Sequence, residues 1–282
     1  MTAGVHHVVV PDGAADFAGR ATPFLAAEPV LHSVLLTRLA QALRDPDGAR
    51  GALWRYVQTG PAGPVVAALM MTPPHPPYLS PAPEAAVRLL ADHLWAAGHR
   101  PRGVGGLGAG PEHFADQWRR HAGGPAAVVV RRTGVLELDR LRPPPPVAGR
   151  ARPAQAADLA LLRPWGDAFH AEATPGAPPQ DHVTPRVRAG LLHLWEVDGV
   201  PVSMAAVTPA QAGASRVQLV YTPPALRGNG YAASCVAALT QVELATPGRR
   251  CLLFTNLANP TANALYERLG YRRVAEGVEL AW

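Results

Sequence analysis

The chain has 282 residues and a formal net charge of +5, and 48% of its residues are hydrophobic. A chain of this length can bury one or two cores, and domain-size statistics favour two. It contains no apolar run as long as a membrane span, and its first residues lack the pattern of a signal peptide, so we expect a cytoplasmic protein.

The distribution of charge and of metal-ligand residue types excludes several function classes. All 26 basic residues are arginine, and they are spread evenly, without the basic runs and interleaved aromatic residues that mark a nucleic-acid surface. The histidines show no ligand spacing, so we expect no metal. The two cysteines, Cys235 and Cys251, lie in apolar segments, which favours buried thiols in a reducing compartment.

The first half of the chain alternates between strand-like and helix-like patterns. Apolar alternation predicts a hairpin at 51–58 and 64–71, and the later patterns predict a helix at 84–97, a strand at 102–107, a helix at 113–121 and one or two strands within 126–142. Prolines in segment 77–83 remove N–H donors just before the first of these helices. We therefore expect no phosphate-binding turn in this half.

A run of four prolines, Pro143–Pro146, predicts a short extended linker. We place domains at 1–142 and 150–282 and the proline-rich linker at 143–149. After the linker, the patterns predict an opening strand near residue 150, a helical region at 155–191 broken by a loop at 174–179, a hairpin of strands 192–197 and 200–207 around Asp198-Gly199, and a strand at 215–222.

The most informative segment is the sequence Arg227-Gly228-Asn229-Gly230-Tyr231-Ala232, which we call the glycine turn. It lies between the strand at 215–222 and a predicted helix at 233–244. Backbone N–H groups at a helix start carry partial positive charge and have no partner within the helix, so this turn is suited to bind an anion. Alone it is a weak signal, because many nucleotide sites use the same chemistry.

A second motif follows at the expected distance. The apolar run 250–255 predicts a strand, and Asn259, Ala262, Tyr266, Gly270 and Tyr271 then stand in the pattern N-x-x-A-x-x-x-Y-x-x-x-G-[FY]. Together with Arg227, Gly230 and Ala232 in the pattern R-x-x-G-x-A, these residues make the chain resemble the GNAT superfamily of acyl-CoA N-acyltransferases.

The resemblance implies an α/β (α+β) fold with a mixed sheet in each of two tandem GNAT-like domains, the N-terminal one degenerate and lacking the cofactor turn. It implies acetyl-CoA or another acyl-CoA as co-substrate. The residues that would contact this co-substrate are Leu219, Val220, Thr222, Arg227, Gly228, Asn229, Gly230, Tyr231, Ala232, Asn256, Asn259 and Asn263.

The resemblance also implies catalytic roles. Tyr266 would protonate the departing thiolate as a general acid, and Asn259, which we expect to cap the same helix, would orient it or contact the pantetheine. The alternative for Tyr266 is a core residue of an amphipathic helix.

One feature departs from the family pattern. Many members carry a glutamate on the strand before the turn, whereas segment 217–222 has no carboxylate. A general base would have to come from elsewhere, or a neutral amine would attack directly. The candidate bases are Asp167, His170, Glu172, Asp181, His182 and Glu196, and we expect His170, Glu172, Trp195 and Tyr221 to contact the acceptor.

The interpretation is an N-acyltransferase acting on the amine of a small molecule. A second possibility is an amide-forming transferase that takes its acyl group from an aminoacyl-tRNA or a carrier protein, and a third is a CoA-binding module without turnover. Tyr266 argues against the third, because a binding module needs no acid beside the sulfur. The sequence predicts no membrane partner and does not define the oligomeric state.

Overall fold

The computed structural model describes residues 5–174 and 180–282. Contacts divide the chain into two compact units. The N-terminal unit comprises Met1–Val135, Asn256–Ala258 and Val274–Trp282, and the C-terminal unit comprises Leu136–Thr255 and Asn259–Arg273. The domain limits drawn from the proline run stay a prediction, and the loop predicted at 174–179 lies, from residue 175 onward, outside the described residues.

The first ten elements begin with a strand, two helices and three strands. In chain order they are β1 (His6–Val9), α1 (Gly13–Ala27), α2 (Ser33–Arg44), β2 (Leu53–Thr59), β3 (Val65–Met71), β4 (Tyr78–Leu79), α3 (Glu84–Ala96), β5 (Gly103–Leu107), α4 (Gly110–Ala122) and β6 (Val128–Leu138).

The next ten elements repeat that order. They are β7 (Arg150–Pro153), α5 (Leu159–Ala173), α6 (Thr184–Arg188), β8 (Leu192–Val197), β9 (Val200–Val207), β10 (Ala214–Tyr221), α7 (Tyr231–Leu244), β11 (Arg250–Asn256), α8 (Pro260–Arg268) and β12 (Tyr271–Ala281).

Each unit has a mixed sheet. Strands β1 to β4 pair antiparallel in sequence and β4 pairs parallel with β5. Strands β7 to β10 likewise pair antiparallel, and β10 pairs parallel with β11. The predicted α/β class with a mixed sheet is confirmed, whereas the loss of function in the N-terminal half stays a prediction.

The sheet of the C-terminal unit is covered on both faces. Under α7 lies the α7-side cluster, which contains Val217, Leu253, Cys235 and Leu239. The opposite face carries the α5-side cluster, formed by Leu162, Leu194, Met204, Leu219, Tyr221 and their neighbours. A side chain of β10 therefore has two different environments, depending on the face from which it projects.

Most elements agree with the sequence-based prediction, and the differences have local causes. The hairpins at β2–β3 and β8–β9 are confirmed. The helix predicted from residue 113 begins at Gly110, because Pro111 is tolerated in a first helical turn. Segment 126–142 holds the single strand β6, and α1 and α2 had no counterpart in the prediction.

The last strand contributes to the N-terminal unit. Its residues 277–281 pair antiparallel with β5, from Gly277 opposite Leu107 to Ala281 opposite Gly103. Val278 and Leu280 are 4% and 5% exposed within the core of that unit. The final residues of the chain are thus core residues of the unit that contains its first residues.

No helix in the described ranges is long and apolar enough to cross a membrane.

We expect Leu280→Ala to destabilise the N-terminal unit by about 2–5 kcal/mol, because it leaves a cavity in a packed core. Hydrogen exchange measured peptide by peptide should show lost protection in β5 and α3. Val274→Ala, in the same strand at a site 48% exposed, is the matched control and should change little. Equal loss of protection in both variants would contradict this assignment of the core.

Candidate active site

The parallel strands β10 and β11 pair over only part of their length. Their register runs through four residue pairs, from Ala214 opposite Arg250 to Val217 opposite Leu253. Strand β10 then continues to Tyr221 without a further registered partner in β11 among the residues described. The two strands therefore leave unpaired backbone beyond Val217, into which an extended ligand can fit as a short extra strand.

A bulge lies where the pairing stops. The register of β10 with β9 shifts between Gln218 and Tyr221, and Leu219 has a left-handed backbone with φ +52°. This conformation costs a leucine about 1–2 kcal/mol. It also changes the face from which side chains project, since Val217 packs in the α7-side cluster and Leu219 in the α5-side cluster.

The side chain of Gln218 has an unsatisfied donor beside this bulge. Its Nε2 is buried and has no hydrogen-bond partner among the residues described. Such an unpaired donor costs about 1–3 kcal/mol. A ligand oxygen at this position would satisfy the donor and recover that cost.

The glycine turn has the geometry that the sequence predicted. Gly228 and Gly230 have φ +85° and +80°, and α7 begins directly after Gly230. No side chain of residues 5–174 or 180–282 caps this helix, so the N–H groups of its first turn are available to an anion. The predicted contacts Asn229, Tyr231 and Ala232 lie in this same turn, where the amide Nδ2 of Asn229 donates to the Leu226 carbonyl at 3.1 Å.

The linker residue Val147 packs against this turn. A Cβ built on Gly230 would lie 3.0 Å from Cγ1 of Val147, whereas one built on Gly228 would meet no atom of the described residues within 4 Å. The linker is fixed there by Trp195, whose Nε1 donates to the Ala148 carbonyl at 2.9 Å. Trp195 packs against the α7-side cluster.

Arg227 joins the turn to the neighbouring elements. Its Nε donates to the Thr222 carbonyl at 2.9 Å, and its Nη2 contacts both carboxylate oxygens of Glu172 at 2.7 and 3.0 Å. Its guanidinium carbon lies 5.7 Å from the centre of the Tyr221 ring. Thr222 is itself fixed by a 2.9 Å hydrogen bond between its hydroxyl and that of Ser203.

Helix α8 carries the predicted catalytic pair. Asn259 caps it, accepting a hydrogen bond from the Ala262 N–H at 3.0 Å. Asn263 accepts from the Thr255 hydroxyl at 2.9 Å. Tyr266 is partly buried, with its ring edge-on to Tyr271, and burial raises the pKa of Tyr266 to about 12. Its phenol therefore stays protonated at neutral pH.

The candidate bases around α5 have different surroundings. His170 lies beside His182, with ring centres 5.3 Å apart, and its Nε2 is buried with no hydrogen-bond partner in the part of the chain that the structure describes. Asp181 accepts from the backbone N–H groups of Val183 and Thr184 at 3.0 and 2.8 Å, and its hydrogen bonds with Thr184 lower its pKa. Asp167, Asp181 and His182 line a cavity of 220 Å³.

Glu196 is unsuited to act as a base. Arg152 hydrogen-bonds to its carboxylate and Arg150 lies 3.5 Å from it. These cations lower the pKa of Glu196. Arg152 also binds both oxygens of Asp158 at 2.7 and 2.9 Å, so the network holds β7 against β8 and the start of α5.

The structure brings some predicted site residues together and separates others. Glu172, Tyr221 and Arg227 are in contact, as described above. Trp195 packs on the opposite sheet face from Tyr221. Asn256 belongs to the N-terminal unit, where its Oδ1 accepts from the Ala258 N–H. The roles assigned to these residues from the sequence stay predictions.

Three features of the site had no sequence-based prediction: the left-handed backbone of Leu219, the packing of Val147 on Gly230, and the unpaired amide of Gln218. Leucine as a residue type does not indicate a positive φ, and a valine in the predicted linker does not indicate which residue it will contact. Gln218 could have been found, because a lone amide in an apolar strand needs a partner. The described residues contain no group of His, Cys, Asp or Glu arranged to hold a metal.

Part of the chain matches a known family. Residues 197–279 match the family model described as FR47-like protein. This segment runs from the end of β8 into β12 and contains the bulge, the glycine turn and α8. No curated protein matches the sequence.

Solved structures match over nearly the whole chain. A GCN5-related N-acetyltransferase from Sphaerobacter thermophilus is 17% identical, with 98% of this chain and 94% of that chain covered and a TM-score of 0.63. A GNAT-family acetyltransferase from Colwellia psychrerythraea is 12% identical, with 98% and 99% covered and a TM-score of 0.61.

A tandem GNAT protein from the clavulanic acid biosynthesis pathway is 13% identical, with 99% of this chain and 98% of that chain covered and a TM-score of 0.56. Identities this low show the fold alone. The chain therefore has the fold of these GNAT proteins, as the resemblance implied, and residues 197–279 are in addition similar to the FR47-like family.

The contact between the linker and the glycine turn can be tested by stability. Gly228→Ala and Gly230→Ala each place an alanine at positive φ, at a cost of about 1–2 kcal/mol. We expect Gly230→Ala to cost more, because its Cβ also meets Val147. Urea unfolding of both variants, each with and without Val147→Ala, measures this difference. If Val147→Ala lowers the cost at both glycines equally, the contact has no specific role.

Proposed function

We propose that the protein is an N-acyltransferase that transfers an acetyl or another short acyl group from acyl-CoA to the amine of a small molecule. The observation that carries this proposal is the bulge at Leu219, where β10 stops pairing with β11. A left-handed leucine in a buried strand costs free energy, and such strain is concentrated at functional sites. A bulge also removes backbone N–H groups from the ladder and makes them available to a substrate carbonyl.

The residues present suit acyl-CoA. Its diphosphate would bind the N–H groups of the glycine turn, where Gly228 leaves open space and α7 contributes its dipole. Its pantetheine arm would lie along the unpaired end of β10. This arm has amide groups, which can pair with a strand and satisfy a donor such as Nε2 of Gln218.

The proposed reaction needs one polarised carbonyl and one acid. A backbone N–H in segment 219–222 polarises the thioester carbonyl, and the neutral amine attacks its carbon. The new C–N bond forms, the C–S bond breaks, and Tyr266 gives its proton to the departing thiolate and regains one from water before the next turnover. Because Glu196 is bound by arginines, the amine attacks without help from that carboxylate and releases its surplus proton to water.

The deciding experiment measures binding and transfer together. Calorimetry with acetyl-CoA should give saturable binding at physiological salt, and mass spectrometry of a panel of primary amines should identify an acetylated product, with one free thiol released for each. Binding of total or aminoacylated tRNA, with no detectable binding of acetyl-CoA, would overturn the proposal in favour of a tRNA-dependent transferase. Binding of acetyl-CoA without any transfer would favour a binding module.

We expect Tyr266→Phe to lower kcat by roughly 100-fold or more, the scale of a general acid, with little change in acetyl-CoA affinity. Tyr271→Phe is the matched control. Tyr271 packs against Tyr266 and its hydroxyl bonds to that of Thr240 at 2.8 Å, so its loss should lower stability by about 1 kcal/mol and leave kcat unchanged. An unchanged kcat for Tyr266→Phe, with chemistry shown to limit the rate, would remove the tyrosine from the acid role.

A further inference from the structure

Arg227 lies next to a carboxylate and to a turn suited to bind an anion. On one side it contacts both oxygens of Glu172 at 2.7 and 3.0 Å, near the ring of Tyr221. On the other side, Arg227 is the first residue of the glycine turn, whose N–H groups suit a diphosphate. The same cation can therefore neutralise either the carboxylate or a bound diphosphate.

The ion pair between Arg227 and Glu172 is easily replaced by another interaction of Arg227. The side chains of Arg227 and Glu172 are 48% and 54% exposed, and exposed pairs of this kind are weak. Phosphate oxygens, by contrast, accept hydrogen bonds from arginine in a strong, often bidentate geometry. A diphosphate in the glycine turn should take the guanidinium from Glu172.

The position that the Arg227 guanidinium would vacate is suited to another cation. Glu172 lies in the last turn of α5, where the helix dipole disfavours a carboxylate and favours a positive charge. The face of Tyr221, which packs against Trp165 with ring centres 6.1 Å apart, attracts cations as well. Once Arg227 has moved, Glu172 and Tyr221 together offer a site for another positive group.

We propose that the diphosphate of acyl-CoA draws Arg227 away from Glu172, and that Glu172 and Tyr221 then bind a positively charged group of the acceptor. This rests on the proposed function. The reacting amine must be neutral, so the acceptor carries a second amine. Tyr221 lies two residues beyond Leu219, at most about 7 Å away along the backbone, a distance that a short diamine spans. The acceptor class is therefore a diamine.

Calorimetry with CoA and with pantetheine tests the exchange. Glu172→Gln removes the charge that competes for Arg227, so this variant should bind CoA about two- to fivefold more tightly than the wild type does. Pantetheine lacks the diphosphate, so the variant and the wild type should bind it equally. Glu137→Gln is the matched control, because Glu137 makes a similar two-oxygen contact with Arg250 at 2.6 and 2.9 Å. It should leave both affinities unchanged.

Kinetics with 1,4-diaminobutane and n-butylamine test the acceptor class. With acetyl-CoA saturating, the wild type should prefer the diamine in kcat/KM by about tenfold. Glu172→Gln should remove most of this preference through KM rather than kcat.

The outcomes separate the two proposals. A wild type that binds no CoA overturns the proposed function and this exchange with it. A wild type that binds CoA and acetylates amines, but whose Glu172→Gln variant binds CoA equally or more weakly, overturns the exchange alone. An unchanged preference for the diamine in that variant overturns the assignment of Glu172 to the acceptor.

Discussion

The backbone at Leu219 is the constraint on which the site depends. Regular pairing on both sides of β10 would bury every N–H and C=O of the strand in the ladder and leave nothing for a ligand. The left-handed residue shifts the register with β9 and directs Leu219 into the α5-side cluster. The cost of this conformation is offset by burial, since Leu219 is 3% exposed, and burying a leucine contributes about 1.5–3 kcal/mol.

The charges of the site are arranged around that strand. Beyond the bulge, β10 ends at Tyr221 and the chain reaches the glycine turn within a few residues. Polar groups from α5, from β10 and from the start of α7 therefore meet at the carboxyl end of β10. Arg227 connects them through Thr222 and Glu172. On α8, burial raises the pKa of Tyr266 further above neutral pH, while the cap by Asn259 and the hydrogen bond that Asn263 accepts from Thr255 fix the helix that presents it.

Much of this arrangement is predictable from sequence because it follows from local chemistry. Gly228 and Gly230 are required where φ is positive, and Asn259 before Pro260 predicts a helix cap. The hairpin at Asp198-Gly199 follows from turn preference. Other features depend on distant residues. No local pattern near Trp195 shows that its indole will hold Ala148, and none near Glu172 shows that Arg227, far along the chain, will pair with it.

The pairing of β12 likewise had no sequence-based prediction, because no local pattern shows which strand it lies beside. Residues 277–281 pair with β5, which lies more than 160 positions earlier in the sequence. Bringing these two segments together costs loop-closure entropy, which the burial of Val278 and Leu280 in the core helps to offset. Contacts between residues so far apart in sequence form slowly, so we expect the core of the N-terminal unit to be completed late in folding.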